Sequence, residues 1–483
     1  MDDAHGKTVS GTIARYACSK YYRQGLGIVT SLLRPKLLAP EYYGIWTLIK
    51  LVSQYASYAH LGTQSAMRYM LPLYRARGDD EYSEALQDSA LAGGLVANLA
   101  LSMLAAVLAI LPIFSPVMRA GLGTMAVLIL FRYYHEYLIA VLRAEEAFGA
   151  VTRATYVYVT TAFVTTIPLL YYLGIYGLYV SLLLTYAVTI IFLLRVYAFR
   201  CRLRIRGDVL RKLAGKGFPL ILMSFTVLLV VTSDRLVVTI FLGKEHLGYY
   251  GIALLVMNFL INIPGTAREV MEPRLMKSVE GADASDVAEE FLATPLLNTA
   301  YLMPFLIGPV YLGLPAGIRL VLPRYAQGIA SAQLLAVGVF FLALAYAPRI
   351  LIVAKNWQVQ ACGLLPPVLL VNLGLSIALV KKGYGLSGVA LASSLSYALL
   401  FMVLLGFLRV KMSGTGVQWG VLTKQLAFPF SVMCILIVAF SVFCRAWPGP
   451  DLLGAGIATV LYLGLMAIVY RAASRRIGNL KHG

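Results

Sequence analysis

Arg15, Lys20 and Arg23 lie within one apolar stretch, Thr12 to Lys36, that is long enough to cross a bilayer. At 100° per residue Arg15, Ser19 and Arg23 share a stripe, and Lys20 falls about 60° from Arg23, with Tyr16 between them. A cation buried on a spanning helix costs about 2.5 to 3.5 kcal/mol, so three on one face need water, an anion or partner side chains opposite them. That face reads as the wall of an internal cavity that receives something negative. Lys50, with Gln54 one turn later, sits in the second apolar segment, Arg132 in the fourth, and Arg268 at the cytoplasmic end of the eighth. Lys20, Arg23 and Lys50 are too deep to snorkel easily, whereas Arg15 and Arg268 are close enough to a boundary to do so. Glu136 follows Arg132 by four residues, so the two either neutralise each other or serve binding or ion coupling. Asp234 and Arg235 are adjacent and point about 100° apart, so they are expected to serve packing or a gate rather than to pair with each other.

The elements that must carry these residues are membrane helices. The chain of 483 residues is 60% hydrophobic and only 13% charged, with a mean hydropathy of +0.78, well outside the soluble range. Apolar stretches predict fourteen spans near 10–34, 42–64, 83–112, 122–145, 150–173, 176–199, 214–242, 247–268, 290–314, 326–349, 357–380, 386–409, 424–445 and 452–471. The net charge of +19 calls for no nucleic-acid partner. With both termini in the cytoplasm, most Lys and Arg fall on the inner side, above all in the run Arg195 to Lys216, while Arg34 and Lys36 fall in the first outer turn. That run faces anionic inner-leaflet lipid. Met1 to Ser10 has no cleavable signal pattern, so the first helix is expected to stay. Cys18, Cys201, Cys362, Cys434 and Cys444 form neither a disulfide framework nor a metal-ligand spacing, and read as packing residues; no cofactor and no metal is expected.

A repeat divides the chain. Leu38, Glu41, Gly44 and Trp46 after the first span match Leu242, Glu245, Gly248 and Tyr250 after the seventh at one constant offset. Gly174, Gly177, Thr185, Tyr186 and Ala187 match Gly385, Gly388, Ser396, Tyr397 and Ala398 at a nearly equal one. The expected fold is therefore all-α and polytopic, with two pseudo-symmetric six-helix lobes in the same orientation around a central cavity. The expected boundaries are 1–199 for the first lobe, 200–216 for a basic cytoplasmic linker, 217–409 for the second lobe, and 410–483 for a linker, two further helices and a cytoplasmic tail. Arg68 to Arg75 and Arg268 to Arg274 read as amphipathic segments at the interface after each two-helix hairpin.

The Leu-x-x-Glu-x-x-Gly pattern at 38–44, Gly62 with the Arg68 to Asp79 stretch, Pro219 with Ser233-Asp234-Arg235, and Glu245-x-x-Gly248-x-Tyr250 resemble the polysaccharide-transporter branch of the multidrug/oligosaccharidyl-lipid/polysaccharide exporter superfamily. That resemblance implies a pair of lobes enclosing a cavity, alternating access, two added C-terminal helices, and a flippase in the cytoplasmic membrane. The implied substrate is an undecaprenyl- or other polyprenyl-diphosphate-linked glycan, with a proton or sodium counter-ion and with glycosyltransferases and a polymerase as pathway partners. Arginines on the first two helices line the cavity in the lipid II flippase pattern; Lys50 stands where the second would be, which weakens bidentate phosphate recognition there. A drug exporter of the same superfamily would need carboxylates where this chain has Lys and Arg. A membrane glycosyltransferase would need a large outer loop and a catalytic constellation, and the five histidines (His5, His60, His135, His246, His482) are dispersed; no enzymatic activity is expected.

Overall fold

The structure is a computed structural model that describes the backbone of residues 2–199, 202–278, 289–414 and 418–480, and the side chains of these except 2–17, 20, 266–278 and 472–480. Every element among the described residues is helical. The chain separates into two compact units, Met1–Phe225 and Thr226–Gly483. The first holds α1 (Asp2–Leu37), α2 (Pro40–Ala56), α3 (Thr63–Ala76), α4 (Asp80–Ile110), α5 (Pro116–Ala144), α6 (Phe148–Leu173), α7 (Ile175–Val196) and the start of α8 (Gly207–Phe241). The second holds the rest of α8, then α9 (Lys244–Ser278), α10 (Thr294–Val321), α11 (Ile329–Leu344), α12 (Tyr346–Ala354), α13 (Gln358–Cys362), α14 (Leu365–Lys381), α15 (Gly385–Lys411), α16 (Trp419–Ala446) and α17 (Asp451–Leu480).

Twelve helical segments among the described residues are long and apolar enough to cross a membrane. All fourteen expected stretches are helical, but α1 and α2 are not among those twelve, and α2 has only 17 residues. Three stretches are not single straight helices. The expected span at 42–64 ends at Ala56, because Leu61 and Gly62 take φ of 48° and 93° and turn the chain into α3. The span at 326–349 is divided between a tight turn at Pro323–Gly328, α11 and α12, the last break falling just ahead of Pro348. The span at 357–380 breaks between α13 and α14, ahead of Pro366 and Pro367.

In the first unit α4 packs on α5, α5 on α7, and α6 on both α1 and α7. Tyr133 of α5 donates to the carbonyls of Ala90 and Leu91 at 2.8 and 3.0 Å, over Gly94, where any larger residue would strike the phenol ring. The short helix α3 buries Ala66, Met67, Met70 and Leu71 against α4 and α5 and leaves Arg68, Tyr69 and Arg75 exposed. It is held to α8 by Lys212, which donates to the Tyr74 hydroxyl at 2.8 Å and lies over the rings of Tyr74 and Tyr82. That hydrogen bond from the ammonium holds the Tyr74 phenol below its ordinary pKa. The turn before α3 meets α8 glycine to glycine, Gly62 against Gly217.

In the second unit α15 packs on α11 and α14, α9 on α11, and α10 on α11, α16 and α17. Helix α10 carries Pro304, Pro309 and Pro315. The Gln333 side chain of α11 donates to the Tyr311 carbonyl at 3.0 Å, and the Tyr462 hydroxyl of α17 donates to the Pro304 carbonyl at 3.0 Å, its ring over Gly308.

The matched segments of the repeat do the same local work. Gly174 and Gly385 take φ of 56° and 52°, each opening the last helix of a hairpin. Three residues on, Gly177 meets the backbone of Leu169, and Gly388 meets Leu379 and Tyr384. A methyl at Gly177 would collide with a backbone carbonyl that cannot yield. Gly177→Ala should therefore lose about 1 to 3 kcal/mol of stability, whereas Gly374→Ala, with nothing within 4 Å of its Cβ position, should be silent. Thermal unfolding of both variants in detergent checks this, and equal behaviour would show that the close approach is not what requires glycine.

Candidate functional site

Two polar arrangements and one cavity stand out in the apolar interior. In the first unit Arg132 of α5 donates through Nε to Glu136 at 2.8 Å and through Nη1 to the Ser53 carbonyl and hydroxyl of α2 at 2.7 and 2.9 Å. The side chains are 22% and 37% exposed. One guanidinium thus ties two helices and meets a counter-charge on its own helix. Beside it on α5, His135 packs between the rings of Tyr158 and Tyr186, and His60 accepts from the Gly62 amide at 3.2 Å.

In the second unit the carboxylate of Asp234, 1% exposed, accepts from the Tyr250 hydroxyl at 2.8 Å and from the Arg235 amide at 2.7 Å. The Arg235 side chain, 6% exposed, brings Nε to 3.9 Å from the same carboxylate. The expectation that these neighbours would not pair is therefore corrected. A 100° separation on the wheel fixes only the Cβ directions, and the long arginine side chain can fold back where burial leaves its charge no water. Asn372 of α14 donates to the Val230 carbonyl at 2.8 Å and to Ser233 at 3.0 Å, and accepts from Ser376 at 3.3 Å. The Tyr397 hydroxyl donates to the Val231 carbonyl at 3.3 Å. Tyr250 and Tyr397, which stood out only as repeat positions, are thus parts of one buried polar knot about α8.

The cavity, of about 170 Å³, is walled by α1, α6 and α7 with Trp46 of α2. Arg23 and Arg34 both line it, with Tyr158, Thr166 and Ser181 opposite. Arg34 does not lie in an outer turn: Pro35 is accommodated inside α1, which runs to Leu37. Eleven residues from Arg23, Arg34 returns to within about 20° of the same face, three turns along. Its Cζ lies 5.5 Å from the Trp46 ring centroid, while Nε is buried without a hydrogen bond. A cation–π contact contributes about 0.5 to 2 kcal/mol.

Of the other expected cavity cations, Lys50 is exposed on α2 and Arg23 is exposed on α1. The side chains of Arg15, Lys20 and Arg268 lie outside the described residues. Among the described residues no group of three or more His, Cys, Asp or Glu is arranged to hold a metal ion.

The fold has known counterparts. The chain is similar to the lipid II flippase MurJ in its inward closed conformation (TM-score 0.66, 15% identity, 95% of this chain and 99% of that one). It is also similar to an inward-facing multidrug resistance MATE family transporter of the MOP superfamily (TM-score 0.63, 13% identity, 81% and 95%). The eukaryotic MATE transporter AtDTX14 is a further likeness (TM-score 0.53, 14% identity, 88% and 97%). At these identities the fold is what is shared. No curated protein sequence matches the chain. The profile of the polysaccharide biosynthesis protein family matches residues 35–322, more than half of the chain. With its helical, multi-pass architecture and the fold common to MurJ and the MATE transporters, the chain belongs to the polysaccharide biosynthesis protein family.

Proposed function

We propose that this protein is a flippase that moves a polyprenyl-diphosphate-linked oligosaccharide, such as an undecaprenyl-linked one, across the cytoplasmic membrane by alternating access, for cell-surface polysaccharide assembly. The observation that carries the reading is the cationic face of α1: Arg23 and Arg34 line a cavity that has no carboxylate in its wall, inside a chain of a polysaccharide biosynthesis family. A diphosphate cannot enter hydrocarbon alone and is met at depth by guanidinium and ammonium groups. Arg15, Lys20, Arg23 and Lys50 would receive it, with Arg268 at the cytoplasmic end of α9. The reading carries with it the fuller architecture expected from the sequence: fourteen spans with both termini in the cytoplasm, and two six-helix lobes. Glycosyltransferases would supply the lipid-linked glycan and a polymerase would consume it.

A drug exporter is the weaker alternative. Cationic drugs call for available carboxylates, and Glu136 and Asp234 each sit beside an arginine. For coupling, Asp234 is the place for a proton: unlike a sodium ion, a proton brings no second cation beside Arg235. The carboxylate is held by a hydroxyl and an amide whose hydrogen bonds protonation would reorganise. Glu136 is then a positioning residue that neutralises Arg132.

Complementation of a flippase-deficient strain should succeed with the wild type and fail with a variant in which Lys20, Arg23 and Lys50 are all Ala; full rescue by that variant would contradict the site. Asp234→Asn should fold and bind substrate but lose ion-driven transport, measured as ion-gradient-dependent protection of the glycan in proteoliposomes. Unchanged gradient dependence would move coupling elsewhere. For the Arg132–Glu136 pair, the double-mutant cycle with Gln at both positions should give a coupling of about 1 kcal/mol, as expected of a partly exposed pair, with transport kept in Glu136→Gln. Loss of transport in a stable Glu136→Gln protein would make Glu136 the coupling acid instead.

A further inference from the structure

Arg34, unlike Arg132 and Arg235, has no acidic side chain beside it in the wall of its cavity. Arg132 has Glu136 and Ser53, and Arg235 has Asp234. Arg34 has the face of Trp46, and its buried Nε makes no hydrogen bond. It opens on the α1–α6–α7 cavity together with Arg23, and no acidic residue lines that space.

The polar wall of the cavity narrows what could fill it. The Thr30 hydroxyl donates to the carbonyls of Leu26 and Gly27, and the Thr185 hydroxyl to that of Ser181. The hydroxyls of Thr166 and Ser181 share a hydrogen bond at 2.8 Å, and Ser181 shares a second with Thr165, whose own proton goes to the Thr161 carbonyl. These protons are committed within the protein. The charged donors left to greet an occupant are guanidinium N–H groups, so the complementary group is one that accepts and carries negative charge. About 170 Å³ admits a phosphate-sized group with a few waters, at about 30 Å³ per water.

The geometry points to an anion site in the first unit: a pocket centred on Arg34, with Arg23 at its mouth, that binds a compact phosphate-type oxyanion. The carrier diphosphate is one source of that group, and this assignment rests on the flippase reading; a free phosphate is the other, and the pocket itself needs neither reading. Binding would draw the guanidinium from the Trp46 ring and give Nε the acceptor it lacks.

The test is isothermal titration of the purified full-length protein in detergent with three probes: inorganic phosphate, inorganic pyrophosphate and a short-chain polyprenyl diphosphate. The expected result is one saturable, salt-sensitive binding event for at least one probe, weakened about tenfold or more by Arg34→Gln and partly restored by Arg34→Lys. Binding of the polyprenyl diphosphate alone supports the carrier as source, and binding of an inorganic probe supports a free anion. Ala162→Leu, which fills the wall without touching a charge, should weaken binding as well and serves if Arg34→Gln does not fold. Identical titrations of wild type, Arg34→Gln and Ala162→Leu, or no binding of any probe to well-folded wild type, would overturn the assignment. Failed complementation with these heats intact would count against the flippase reading alone. Intact transport without them would count against the pocket alone.

Discussion

The constraint on which the rest depends is that a charge held in lipid must be answered within the protein. Coulombic and desolvation effects grow together as the dielectric falls, so an embedded cation cannot be left to solvent as a surface lysine can. Arg132 is answered on its own helix by Glu136 and across the interface by Ser53, which makes the α2–α5 contact specific as well as apolar. Asp234 is answered by Tyr250, by the next amide and by the next side chain, and α8 and α9 are joined in consequence. The same logic gives Arg34 its interest: its neighbours answer part of the charge, and the open space beside it is where the remainder would be met.

Close backbone approach is the second means by which this fold is held, because in lipid there is little hydrophobic gain in packing one apolar helix on another. The glycines show where it is used. Gly94 admits the ring of Tyr133, whose hydroxyl reaches two carbonyls of the facing helix. Gly62 and Gly217 allow a turn and a helix to touch main chain to main chain. The equivalent roles of Gly174 with Gly177 and of Gly385 with Gly388 explain why glycine recurs at those offsets in sequences otherwise alike only in being apolar.

How far the sequence could be read follows from which forces leave a one-dimensional trace. Hydropathy located the long helices, since length and apolarity are local properties, whereas α3 was read only as an amphipathic stretch from Arg68 to Arg75. The breaks after Ala56, at Ala345 and at Gly363 were lost inside longer apolar windows, although Gly62, Pro348 and the Pro366-Pro367 pair mark them. Arg34 was misplaced because Pro35 and Lys36 beside it read as a helix end, whereas proline is tolerated in a membrane helix when neighbours re-satisfy the freed carbonyl. The stripe from Arg15 through Arg23 pointed at it three turns later. The pair Arg132 and Glu136 was visible as an i, i+4 spacing, but Ser53 was not, being 79 residues away. Tyr250 was noticed as a motif residue and Asp234 as a packing or gate residue; only the fold shows them to be partners.

The prolines of α10 carry this reasoning to the last two helices. Pro315 has no N–H to offer Tyr311 four residues earlier, and a carbonyl left open in lipid would cost several kcal/mol. Gln333, an amide on the otherwise apolar α11, supplies the missing donor. On another side of the same helix Tyr462 bonds the Pro304 carbonyl and lays its fully buried ring over Gly308. A helix with three interior prolines bends readily, and here neighbouring helices hold it at two levels. Since α16 and α17 lie beyond the stretch that matches the family profile, they could have been taken for an appendage. Through Tyr462 they instead complete the hydrogen bonding and packing of a helix inside the matched region, so α10 and the C-terminal pair are expected to move as one body.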